Sequence, residues 1–154
     1  MSPRTITEPL VREPPLVNTD DTVETAVRAI LDSGFPAVPV VHADGGLAGV
    51  FGEREFMEAL FPRYFTQLKS ASFVRQALDA SLEKRAGCIR ERVGDHLFTE
   101  HVDVGSDHSD SQIAEIFLHH RVLLVPVCED GRVVGVVTRR DFFRALAERV
   151  LEPS

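Results

Sequence analysis

Thr138 and Asp141 are the residues whose types and spacing most directly suggest chemistry. They follow an apolar run, Gly135-Val136-Val137, and open the helical pattern of residues 139–150. A threonine hydroxyl beside the free N–H groups of a helix N-terminus favours a phosphate. An aspartate in the first turn can accept two ribose hydroxyls in charge-assisted hydrogen bonds. Thr-x-x-Asp is thus a ribose-phosphate grip, and equally the spacing of a plain helix cap with a dipole-compensating acid. Arg139 and Arg140 lie between Thr138 and Asp141, and neutralising a phosphate would fall to these or to a partner chain. A second stretch, Gly52-Glu53-Arg54-Glu55, stands in the same setting but lacks the hydroxyl and has glutamate for aspartate. One grip is expected, not two.

Other chemistries do not assemble. His101-x-Asp103, Asp107-His108-x-Asp110 and His119-His120 match no standard metal-ligand spacing. The last two fall near a helix end, where histidine suits the dipole. Cys88 and Cys128 form no CxxC and fit a reducing compartment; Cys128, in a strand, is expected buried and inert, and Cys88 open to exposure. Gly45-Gly46 reads as a hairpin turn rather than a phosphate loop, and no Ser-His-Asp, Cys-His or paired-carboxylate set is spelled out. The expectation is a protein that is not an enzyme and has no obligatory cofactor. A net charge of −7 over 154 residues argues against nucleic-acid binding by bulk charge. No apolar run approaches the roughly 20 residues of a membrane span, and Met1–Thr5 opens no apolar leader. Cytoplasmic localisation without membrane insertion is expected.

The elements that must position these residues occur twice. Val23, Ala26, Val27, Ile30 and Leu31 form the stripe of an amphipathic helix, and Ile113, Ala114, Phe117 and Leu118 repeat it. Asp21 with Glu24 suggests a capping box, and Gly34 a C-terminal stop. Residues 35–41 and 122–128 are continuously apolar runs interrupted by Pro39 and Pro126. Each leads through a hairpin signal, Asp44-Gly45 or Asp130-Gly131, into a strand centred on Gly49 or Gly135. Phe56, Ala59 and Leu60 then match Phe142, Ala145 and Leu146. The offset is 87 residues at Val17/Val104 and 86 at Gly49/Gly135, because the first hairpin is one residue longer. A copy of about 50 residues buries little surface alone. Two copies are expected to pack as one compact α+β body with approximate two-fold symmetry, each half β-α-β-β-α.

Val38-Pro39-Val40-Val41, Val125-Pro126-Val127-Cys128, Gly49-Val50, Gly135-Val136 and the closing Thr138-Arg139-Arg140-Asp141-Phe142 together resemble a pair of cystathionine-β-synthase (CBS) domains, often called a Bateman module. The likeness spans residues 8–61 and 93–150 and leaves 62–92 as a helical inter-repeat segment. It implies a non-catalytic regulatory module that binds AMP, ADP, ATP or S-adenosylmethionine in the cleft between repeats and signals to an unidentified regulated protein. It also implies homodimers. The ribose would lie on Thr138 and Asp141, with phosphate near Arg140. The base would lie between Pro15, Phe35, Pro36 and Ala37 of the first repeat, with Val136 lining the same cleft. Leu123 and Leu124 stand where some relatives place cationic phosphate ligands. The alternative is an interaction and dimerisation module without a small ligand. Residues 72–82, amphipathic through Val74, Ala77, Leu78 and Leu82, are expected to form a helix that docks a partner or folds back on the module.

Overall fold

The computed structural model describes residues 6–61, 78–80 and 82–152. The first half runs β1 (Val17–Asn18), α1 (Val23–Ser33), β2 (Ala37–Val41), β3 (Leu47–Gly52) and α2 (Glu53–Leu60). The second runs β4 (Val104–Gly105), α3 (Asp110–His119), β5 (Leu124–Glu129), β6 (Arg132–Thr138) and α4 (Arg139–Leu151). Each half is a three-stranded sheet in which the first strand pairs parallel, and the third antiparallel, to the middle one. Registers repeat as well. Gly49 faces Val40 and Gly135 faces Val127, with an irregularity one residue on in each ladder. The mixed α+β fold of two similar halves is the one the repeat implies.

Local chemistry explains most boundaries. Gly34 ends α1 at φ 79°, a left-handed conformation that costs glycine little. Thr22, not Asp21, caps α1. Its hydroxyl accepts from the Thr25 N–H, while the Asp21 carboxylate is taken by the Asn18 N–H one turn earlier. Ser109 caps α3 in the same way through the Gln112 N–H. Asp130 and Gly131 both have positive φ, as a two-residue hairpin turn requires. The strands begin two residues later than the apolar runs suggest, at Ala37 and Leu124. Pro39 and Pro126 are tolerated inside β2 and β5 because the short β1 and β4 pair only with later residues. Leu31 and Leu118, expected on the packed stripes, are 75% and 80% exposed. Both lie in the last turn of their helix, at the edge of the stripe whose Ile30 and Phe117 still pack on the two cores. The segment 72–82 lies outside the described residues except for 78–80 and 82, which are helical.

The halves are completed by crossing segments. Ile6, Leu10 and Val11 pack against the core of the second half, among Ile113, Val125, Val137 and Phe142. Val93 and Leu97, which precede β4 in sequence, pack instead into the first core beside Val23, Val38 and Phe51. Arg12 pairs with Val136 and Phe98 with Val50, so each crossing segment adds a bridge to the other half's third strand. A third cluster, Phe35, Ala37, Val50, Leu124 and Val136, seals the seam between the sheets. Glycine is needed where the crossing chain arrives. A Cβ on Gly49 would lie 2.8 Å from the Phe98 carbonyl oxygen.

Candidate functional site

The repeat brings two related positions to the seam, the start of α2 and the start of α4. At α4, the Thr138 hydroxyl accepts from the Asp141 N–H at 3.1 Å and satisfies a helix N-terminus that would otherwise be unpaired. The Asp141 carboxylate is therefore free to turn outward. It accepts from Arg12 Nε at 2.9 Å. At α2, Gly52 has no side chain to cap with, and Glu55 turns back so that its Oε1 accepts from the Gly52 N–H at 2.9 Å. Burial pushes the Glu55 carboxyl above its usual range, and that backbone hydrogen bond offsets only part of the effect. A side chain at position 52 would not fit, since a Cβ there would lie 2.8 Å from the Ala37 Cβ. Helix α4 thus keeps its carboxylate out of its own cap, and α2 consumes one in its cap.

The cleft at Glu55 contains a cavity of about 70 Å³ lined by Val50, Glu55, Phe98, His101, Arg121 and Leu124, among others. His101 Nδ1 is buried without a hydrogen-bond partner among the described residues. In the cleft at Asp141 the corresponding positions are Val136, Asp141, Arg12, Pro15, Gly34 and Ala37. Phe35, Pro36 and Ala37 stand at the start of β2, Val136 is fully buried, and Pro15 is half-buried just before β1. Phe35, Ala37 and Val136 share one buried cluster across the seam, while Pro36 lines a neighbouring depression. Arg140 stands apart from Asp141 on the exposed side of α4, its guanidinium 5.7 Å from the Phe143 ring centroid. With Arg139, Pro36, Leu123 and Phe143 it lines an open depression of about 410 Å³.

Arg12 is the residue that sequence reasoning missed. Its N–H donates to the Val136 carbonyl at 2.9 Å, and its carbonyl accepts from the Val136 N–H at 2.8 Å. Its guanidinium carbon sits 4.4 Å from the centroid of the Phe35 ring. No motif surrounds it. The available signal was its position, which matches Phe98 in the other half, and it appears only once both crossing segments are aligned with the third strands.

The remaining candidates are placed as follows. Among the described residues no cluster of three His, Cys, Asp or Glu side chains could hold a metal ion. His101 Nε2 is 3.8 Å from Asp103, His108 contacts the Gly105 carbonyl and the Thr7 hydroxyl, and His119 lies in the last turn of α3. Cys88 is buried, and burial raises its thiol pKa despite nearby Arg85. No described helix is long and apolar enough to cross a membrane.

Comparison with known proteins agrees with this architecture. The family model of the CBS domain matches residues 7–62 and 94–148. An uncharacterised protein of Methanocaldococcus jannaschii is 19% identical over 148 residues, 89% of this chain and 88% of that protein. A CBS-domain containing protein from Agrobacterium tumefaciens superposes with a TM-score of 0.67 at 22% identity, covering 92% of this chain and 90% of the other. CBSX2, solved in complex with AMP, superposes with a TM-score of 0.66 at 19% identity, covering 97% of this chain and 100% of the other.

Proposed function

The chain belongs to the CBS domain family as a tandem pair, and from that premise we propose that this regulatory module senses an adenosine nucleotide or related adenosyl ligand in the cleft at Asp141 and passes its state to a protein partner. One observation carries the reading. Thr138 caps α4 through the Asp141 N–H, so the Asp141 carboxylate is not spent in the cap and meets only a half-exposed Arg12, whereas the Glu55 carboxylate is spent on the Gly52 N–H. The ribose hydroxyls would donate to Asp141. The base would lie against Phe35, Pro36 and Ala37, with Val136 and Pro15 beside it, an apolar slot with polar groups at its mouth. Arg139 and Arg140 line the neighbouring depression and supply positive charge for a phosphate. The AMP held by CBSX2 supports this ligand class.

Binding is tested first by thermal shift with AMP, ADP, ATP and S-adenosylmethionine. A ligand at 100 times its Kd stabilises by roughly 2.7 kcal/mol. Calorimetry on variants then locates the site. Losing a charge-assisted hydrogen bond costs about 1.5–3 kcal/mol, so Asp141→Ala weakens binding roughly 10- to 150-fold. Glu55→Ala leaves affinity nearly unchanged. Equal losses, or none in Asp141→Ala, would place the ligand elsewhere.

We also propose a cytoplasmic homodimer built on α2 and α4, because Met57, Phe143, Leu146 and Val150 are exposed on those helices. Those same exposed residues favour a second reading, an interaction and dimerisation module without a small ligand. Silence across the thermal-shift panel together with a dimer in light scattering would select it. A scattering mass near the 17.1 kDa of one chain would exclude the dimer.

A further inference from the structure

We infer that Arg12 is an internal occupant of the cleft at Asp141, which an incoming ligand must displace. This rests on the proposed site and names what controls access to it. Two backbone hydrogen bonds to Val136 fix where Arg12 leaves the chain. From there its planar guanidinium lies over the Phe35 ring at 4.4 Å and donates to Asp141 at 2.9 Å. Those are the two contacts an adenosine would need, stacking for the base and a donor for the carboxylate. The protein's own side chain imitates both.

The other half provides the comparison. Phe98 bridges Val50 as Arg12 bridges Val136. Phe98 carries no charge and Glu55 is turned back to Gly52, so among the described residues no ion pair closes on Glu55, and a cavity remains. The same backbone frame is therefore open on one side and bridged by a cation on the other. The bridge is also weak enough to yield. Arg12 and Asp141 side chains are 49% and 27% exposed, and ion pairs so close to water are worth little. An exposed cation over an aromatic ring adds a similar small amount.

The test is calorimetric titration of adenosine into the full chain and its Arg12→Ala variant. Adenosine has no phosphate, so loss of a positive charge does not itself weaken it. Removing the competitor should tighten adenosine about three- to thirty-fold. Arg12→Gln serves as the second variant, since it keeps a polar side chain on the same backbone and should tighten adenosine less. Arg12 meets the core through its backbone, so both variants should melt close to the parent. Adenosine binding that is equal or weaker in both variants overturns the inference and leaves the site reading standing. Binding by neither parent nor variants overturns the two together.

Discussion

Asp110→Ala tests how firmly the N-terminal crossing segment, and with it Arg12, is held. Asp110 opens α3, but Ser109 already caps that helix, so the carboxylate is free for other donors. It accepts from the Ile6 N–H at 2.7 Å, the Thr7 N–H at 2.9 Å and the Thr7 hydroxyl at 2.7 Å. Thr7 is fully buried, so its donors cannot turn to water when the acceptor is removed. Each such loss costs about 1–3 kcal/mol. The three share one acceptor and do not add, and Asp110 is partly solvated, so about 2–3 kcal/mol is expected for the set. For a chain of this length that lowers Tm by roughly 4–12 °C. Burial alone would raise the Asp110 carboxyl, but the hydrogen bonds from Ile6 and Thr7 outweigh it and hold it below the ordinary 3.8. A depressed folded pKa contributes stability above the unfolded value and loses it as pH falls through the folded one. The gap between parent and variant should therefore be widest near neutrality and narrow below about pH 4. Thermal melts at pH 7 and in acid measure it, and hydrogen exchange at the Arg12 N–H should accelerate as the segment loosens. A gap below about 1 °C at pH 7, or one independent of pH, would refute the reasoning.

Gly49→Ala must push back the Phe98 carbonyl and should cost roughly 1–3 kcal/mol in a urea melt; an unchanged midpoint would show that the crossing chain is loosely seated. Glu55 is raised from 4.5 in the fold, mainly by burial, so its contribution is present at acid pH and lost as pH rises through the folded value. Glu55→Gln cannot ionise, and its Tm relative to the parent should climb as pH increases from about 4.5; parallel curves would contradict this. Burial pushes the Cys128 thiol up to about 11, with Asp103 adding to it, and burial raises Cys88 as well. Iodoacetamide at pH 8 should label the native chain far more slowly than the unfolded one, and equal rates would show that both thiols are accessible.

The repeat, the order of elements along each half and most helix ends were legible in the sequence because their causes are local. Glycine at position 34 ends a helix, Ser109 and Thr138 begin helices, and Asp130-Gly131 turns a hairpin through the conformational preferences of those residues alone. Even there, Asp21 was outcompeted by Thr22, since the Asn18 N–H had already taken its carboxylate. The proposed site was readable only as a set of residue types around Thr138 and Asp141. What faces Asp141 was not. That depends on residues 6–12 crossing onto the second half and residues 93–98 onto the first, pairings between chain segments far apart in sequence that leave no periodicity to read. Only the packed structure decides that Arg12 reaches Asp141 and Phe35, and that Gly52, pressed against Ala37, obliges Glu55 to cap its own helix.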